Sequence, residues 1–262
     1  PQLTGAQDRQ LAAVITASLA VILLQHAINV LNDVSDWRLG ADIDKPHTWV
    51  RFHREELHTT ALHGYTSLIL GALLGLAVLL VMDRLWILLL AAPLVLLGYL
   101  YNSGRRPLSY THLGEWVTGL CYGPGVFGCL WLLATGSPSL EAAFGSIAFF
   151  SLAAALLLSH QPPQIETDRQ AGKLSFAVRY GEQRTYAGAR LLYVVFLLTF
   201  GLALRGGTPT TGLILTFITL AIATGIALLR SPPSPRHILA AGSTTILGLV
   251  LAEGILDTIS GN

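Results

Sequence analysis

The chain has 262 residues, of which 52% are hydrophobic and 12% charged, against roughly 25% charged in an average soluble domain. That balance excludes a soluble globular fold, and a net charge of +1 gives no ground to expect a nucleic-acid partner. Cys121 and Cys129 both lie inside one apolar run, so they read as small buried hydrophobes and imply neither a disulfide framework nor a zinc site.

Apolar runs near 10–31, 63–82, 85–101, 113–134, 142–160, 188–205, 211–229 and 237–257 approach the roughly 20 residues that cross a bilayer. They predict an all-α, polytopic membrane helical bundle of eight spans, one transmembrane domain over 1–262. Pro93 is expected to kink its helix while neighbours satisfy the freed carbonyl. Lys and Arg crowd the loops after the first, third, fifth and seventh spans, among them Arg51, Arg105, Arg106, Arg169 and Lys173, whereas the other side holds Arg84 and Arg205. The rich side is therefore expected to face the cytoplasm of an inner membrane. The chain starts at Pro1 without Met, and this topology puts that start outside. An upstream helix, making nine spans in the intact protein, is the expectation; a cleaved signal peptide would also leave such a start.

The hydropathy divides into halves, about 1–134 and 135–262, that repeat one plan around a central cavity: span, polar loop with acids and a lysine, hairpin, span. Sites often form at such repeat interfaces. The first half opens with Asn29, Asn32, Asp33 and Asp36 at the end of the first span, where carboxylates are costly unless paired, hydrated or on a metal. Asn29 and Asp33, at i and i+4, share a helix face. Asp36, Asp42 and Asp44 follow, and Asn29, Asp33 and Asp36 are candidate metal ligands. In the loop over 32–62, Trp37, Trp49 and Phe52 alternate with Arg51, His53 and Arg54. That pattern suits a short lid helix over the site or an interfacial aromatic belt.

After the third span, the Gly and Pro of Tyr101–Leu108 turn Arg105 and Arg106 back toward the membrane, and guanidinium forks match phosphate oxygens. Tyr110, His112 and Glu115 open the fourth span; Glu115 is either a helix N-terminal charge or a hydrogen-bond partner for a phenolic substrate. Pro162 and Pro163 break the chain after the fifth span, so the next turn can present Gln164 and Asp168 on one face. Asp168 is the candidate ligand of this half, with neutral Gln164 a weak one and Glu166 more solvated. Lys173, Arg169 and Arg179 follow at once, as cations would if a diphosphate sat between them and the acids. His26 and His160 precede the two signatures and His58 and His63 begin the second span; they read as supporting or interfacial donors. Glu253 and Asp257 receive no role.

Three stretches in order resemble the UbiA superfamily of intramembrane prenyltransferases. Asn29 to Asp36, with Gly40 to Asp42, resembles the first signature of its menaquinone-pathway branch. Tyr101 to Glu115, YNSGRRPLSYTHLGE, is similar to that branch's YTGGPxPLxYxxLGE element, and Ile165 to Gly181 resembles its second signature. The resemblance implies nine helices around a central cavity and magnesium holding a polyprenyl diphosphate, whose allylic carbon is joined to an aromatic ring. Carried onto this chain, Asn29, Asp33 and Asp168 would hold the metals, Lys173 with Arg105 or Arg106 the diphosphate, and Tyr101 or Glu115 the acceptor region. Gln164 stands where the family has Asp, and His160 where Asn is common, which weakens one metal site. For a 1,4-dihydroxy-2-naphthoate acceptor, the new bond forms at the carboxylated carbon with loss of CO2. Alternatives are a terpene cyclase of the same fold or a non-catalytic lipid-binding or transport relative, although transporter acids usually lie nearer the midplane.

Overall fold

In hydrocarbon, backbone groups have no water to bond, so an apolar chain must satisfy them inside each segment, and helices do so. The computed structural model describes residues 2–41, 43, 45–103, 107–204, 210–230 and 232–260, with the side chains of 2–7, 230 and 257–260 left out. All regular structure among the described residues is helical. The long elements are α1 (Gln2–Leu39), α3 (Leu57–Val81), α4 (Leu88–Asn102), α7 (Leu140–His160), α10 (Glu182–Leu204), α11 (Thr211–Arg230) and α12 (Pro235–Ser260). A further span is composite: α5 (Gly114–Leu120), a π-helical stretch (Cys121–Gly128) and α6 (Cys129–Thr135) run on without a break. Short helices α2 (Trp49–Phe52), α8 (Ile165–Gln170) and α9 (Phe176–Tyr180) sit in the polar loops. Among the described residues, eight segments are long and apolar enough to cross a membrane. Leu89, Leu198, Leu229 and Leu251 point away from the bundle, as lipid-facing side chains do.

The first span is longer than its hydropathy suggested, because α1 carries its helix through the acidic signature to Leu39. No Gly or Pro falls between Ala6 and Leu39, and Gly40, at φ 84°, takes the left-handed conformation that ends helices. The Ala41 amide then bonds back to the Asp36 carbonyl at 2.9 Å. All the acids from Asp33 to Asp36 therefore project from a rigid helix rather than from a loop.

Small side chains set the helix contacts. Thr60, Gly64, Ser67 and Gly71 form the buried seam of α3, spaced to keep one face. A Cβ on Gly64 would come within 2.8 Å of Leu31, and one on Gly71 within 3.0 Å of the Ala20 carbonyl oxygen, so α1 and α3 touch nearly backbone to backbone. In the second half, Ala148 and Ala155 of α7 receive Tyr193 and Phe196 of α10. Each half thus has its own apolar cluster: Ala13, Val78, Leu79, Ile87 and Leu133 in the first, and the α7/α10 group with Leu228, Ile238 and Ala241 in the second. Pro93 is accommodated inside α4. Pro124 falls in the π-helical stretch, where the wider turn relieves the clash proline makes in an α-helix.

Candidate active site

The end of α1 and the loops following α4 and α7 converge on a cluster of acids around one lysine. Asp36 is buried at 2% exposure and Asp168 at 4%. Lys173 Nζ lies 3.6 Å from Asp36 Oδ2 and 4.0 Å from Asp168 Oδ1, so an ammonium joins a carboxylate of the first half to one of the second. Local sequence builds this contact. Gly172, at φ 72°, ends α8, and the turn returns the Lys173 amide to the Asp168 carbonyl at 2.8 Å. The side chains of the two residues are thereby held together. Tyr110 completes the cluster: its hydroxyl donates to Asp36 Oδ1 at 2.8 Å, and its ring centre lies 5.2 Å from the ammonium, within cation–π range. Its carbonyl also accepts from the Leu174 amide at 3.1 Å.

Burial raises the Asp168 carboxyl above the ordinary carboxylate range; Lys173 and a hydrogen bond from Ser175 act against the rise, and Asp36 adds to it. Asp168 Oδ2 is buried without a hydrogen-bond partner among the described residues. Such an oxygen is costly unless a ligand meets it.

Beside the cluster lies a cavity of about 580 Å³, walled by α1, α4, the composite span, α7 and α12, and hence by both halves. Its polar rim includes Asn29, Asn32, Tyr101, Asn102 and His160, and its depth is made of residues such as Phe149, Leu152 and Ile246. His160 is exposed, which puts the mouth at the same end as the acids. Asn32 lines this cavity while donating to Asp36 Oδ2 at 2.9 Å, and so connects the apolar space to the charged cluster.

The other residues read from the sequence fall in separate places. Asn29 lines the cavity and accepts from Gln25 Nε2 at 3.1 Å. Asp33 Oδ2 accepts the Trp49 amide at 2.6 Å, tying α2 to the end of α1. The histidines pack against the same contact: His63 is 3.0 Å from His26 and 3.1 Å from His53 through its two ring nitrogens, with the Trp49 ring edge-on to His26. Arg51 is used within the loop, donating to the carbonyls of Ile43 and Lys45 and pairing with Glu55 at 3.2 Å. Arg169 pairs on the surface with Glu166. Gln164 stands half-buried at the N-cap of α8, away from the cavity lining. Arg105, Arg106, Asp42 and Asp44 lie outside the described residues.

Glu115 acts as a clamp. Its Oε1 accepts from Gln161 Nε2 at 3.0 Å and from the Phe176 amide at 2.7 Å, and its Oε2 pairs with Arg179 at 3.2 Å. Gln161 Oε1 accepts the Ala177 amide at 3.1 Å. Donors at the start of α9 are thus satisfied by a residue of the first half and by the end of α7. Gln161 was missed by sequence reasoning, as was the cap that Ser175 places on α9; an amide directly before Pro162-Pro163 was the available signal.

Among the described residues, no three His, Cys, Asp or Glu side chains group as a metal cage. The donors here are amide and carboxylate oxygens, and Asp168 Oδ2 has an open lone pair. Such a set suits a hard cation that takes one or two carboxylates from protein and its remaining ligands from phosphate and water.

Residues 3–251 match the UbiA prenyltransferase family. The chain is 32% identical over 208 residues to a 1,4-dihydroxy-2-naphthoate octaprenyltransferase of Mycobacterium tuberculosis, covering 77% of this chain and 70% of that protein. It is 26% identical over 188 residues to the Bacillus subtilis protein of the same description, covering 70% of this chain and 60% of that one. It is 30% identical over 223 residues to the chloroplastic 2-carboxy-1,4-naphthoquinone phytyltransferase of Arabidopsis thaliana, covering 79% of this chain and 56% of the plant protein. The chain therefore spans less than two thirds of the length of two of these three relatives. No solved structure matches it significantly.

Proposed function

For a chain that belongs to the UbiA prenyltransferase family, we propose transfer of a polyprenyl group from an allylic diphosphate to an aromatic acceptor, 1,4-dihydroxy-2-naphthoate or a related quinone precursor. The observation that carries this reading is the meeting of Asp36 and Asp168 around Lys173 beside an apolar cavity built by both halves. The names of the relatives support the acceptor class.

Lys173 is placed to bind the diphosphate, exchanging part of its contact with the two aspartates for phosphate oxygens. Magnesium, held by Asn29, Asn32, Asp36 and Asp168 together with those oxygens, would neutralise the leaving group's charge. The allylic C–O bond then breaks with its electron pair leaving on diphosphate, and the apolar walls shelter the carbon cation. A ring held near Tyr101 attacks that carbon through its electron-rich, carboxylated position; the new C–C bond forms, CO2 departs and the ring regains aromaticity. The mouth is assigned to the cytoplasmic side, where the donor diphosphate and the soluble acceptor would both arrive.

The test is magnesium-dependent diphosphate release by the full chain in lipid nanodiscs, using geranylgeranyl and longer donors with and without 1,4-dihydroxy-2-naphthoate. Release should require the acceptor, and Asp168→Ala should reduce it by at least about a hundredfold, the scale of losing a group that stabilises developing charge. Unchanged release in Asp168→Ala overturns the assignment, and acceptor-independent release with a cyclised product points to the cyclase alternative.

A further inference from the structure

Asn102 ends α4 at the wall of the cavity beside the acids, and its side chain is only half satisfied. It is 6% exposed and lines the cavity. Its Nδ2 donates to the Ile28 carbonyl at 2.8 Å, which ties the end of α4 to α1. Its Oδ1 is buried with no hydrogen-bond partner among the described residues. Turning the amide round would not relieve this, because a carbonyl only accepts and the one on Ile28 must be met by the NH2 group. Asn102 therefore offers the cavity an oxygen that accepts and cannot donate. Buried oxygens rarely stay without a partner.

The position suits the reacting ring. Ile28 precedes Asn32 by four residues on α1, roughly 6 Å along the axis, and Asp36 by eight, roughly 12 Å. Asn102 thus stands about one turn deeper than Asn32 and two turns deeper than the Asp36 carboxylate, below the place assigned to the diphosphate. Its chain neighbour Tyr101 lines the same cavity.

We infer that Asn102 Oδ1 receives a hydroxyl of the aromatic acceptor and makes the site selective for the hydroxylated ring over its quinone. This rests on the prenyl-transfer reading. The names of the relatives divide on the point: dihydroxynaphthoate for the Mycobacterium tuberculosis and Bacillus subtilis proteins, carboxynaphthoquinone for that of Arabidopsis thaliana. A quinone brings only carbonyl oxygens, which would face Asn102 Oδ1 acceptor to acceptor, whereas a hydroxyl brings the missing proton. In 1,4-dihydroxy-2-naphthoate the 1-hydroxyl lies beside the carboxylate and donates to it, so the 4-hydroxyl is the donor left for Asn102. The selection agrees with the chemistry, since the hydroxylated ring has electrons to give to an allylic carbon and the quinone does not.

The 4-methyl ether of this acceptor keeps the 1-hydroxyl that feeds electrons to the carboxylated carbon and replaces the proton in question with a methyl group. With the native chain in nanodiscs, acceptor KM should be at least about tenfold higher for the ether than for 1,4-dihydroxy-2-naphthoate, the scale of leaving one buried neutral acceptor unpaired. Asn102→Ala should bring the two acceptors within about threefold of each other and leave donor KM within about twofold of native. Asn102→Asp, which keeps an oxygen at the Oδ1 position, should retain the preference. A purely structural role for the contact with Ile28 would move donor and acceptor KM together.

Calorimetric binding without donor gives a readout that needs no turnover. 4-Hydroxy-2-naphthoate should bind the native chain at least about fivefold more tightly than 2-naphthoate, and Asn102→Ala should lose that difference. Asn102→Leu, near to Asn in shape, takes its place if the alanine variant fails to fold. Equal binding of the two naphthoates to the native chain, as when water fills the contact, overturns the assignment, and so does a preference that survives loss of the amide. A native chain that transfers no prenyl group overturns the functional reading instead, and the binding comparison then still decides the role of Asn102.

Discussion

Replacing Lys173 with Met keeps most of the stem and removes the charge between two carboxylates. Both acids are nearly buried, and the ammonium lies 3.6 and 4.0 Å from them with 17% of its side chain exposed. Removing one member of a buried pair typically costs 3–5 kcal/mol; the residual exposure puts this site at the lower end, about 3 kcal/mol. In a chain of this size that is a fall in Tm on the order of 10 °C. The loss must depend on pH. Burial raises the Asp168 carboxyl above its ordinary value, so that group favours the folded state while protonated, and its contribution is lost as pH rises through the raised value. In the native chain Lys173 offsets part of that loss; in Lys173→Met only the Ser175 hydrogen bond and the charge of Lys45 still do. The deficit should be small in acid and grow as pH rises toward neutrality, and magnesium with inorganic diphosphate should recover part of it. Thermal unfolding in detergent between mildly acid and neutral pH is the assay. Equal melting of the native and Lys173→Met proteins across that range would refute the pairing and the electrostatic account of the cluster.

Glu115→Gln keeps an acceptor for the Phe176 amide but leaves Arg179 unpaired; stability should fall by about 2 kcal/mol, and donor KM should rise more than kcat falls, read by unfolding and steady-state kinetics. Trp49 follows the extended N-cap Thr48, where proline is tolerated, so Trp49→Pro removes the amide that Asp33 accepts while leaving α2 able to form. It should loosen the 45–56 loop, raising its proteolysis and hydrogen exchange, whereas Trp49→Phe should not. Gln164→Asp should leave the magnesium dependence of release within about twofold, because the new carboxylate would sit at a helix N-cap away from the cavity; a large change would place residue 164 on the metal after all.

The eight spans were legible because each is a long apolar run, and the cluster's composition was legible because acids and a lysine are expensive so near such runs. Which acids face inward was not. Asn29 and Asp33 share a face, but so do Asn29 and Asp36 at one heptad, and only the continuation of α1 to Leu39 settles the phase. Gln25, Asn29, Asn32 and Asp36 then form the inner stripe, and Asp33, roughly 60° from Asp36 around the helix, meets the Trp49 amide of α2. Glu115 could be flagged as a buried acid, but its partners lie 46, 61 and 64 residues away, beyond what local spacing reports. Gln161 carried no charge to draw notice, and the cavity depends on helix placement that periodicity does not fix.

The clamp at Glu115 bears on how the chain is made. Its acid enters the bilayer with the fourth span, while the guanidinium that neutralises it is encoded 64 residues later, roughly 3–13 s of synthesis at 5–20 residues per second. Until then the Glu115 carboxylate lacks the guanidinium that pairs with it in the folded chain. The clamp therefore closes late: the start of α5, the end of α7 and α9 are locked to one another only once the chain has been made as far as Arg179.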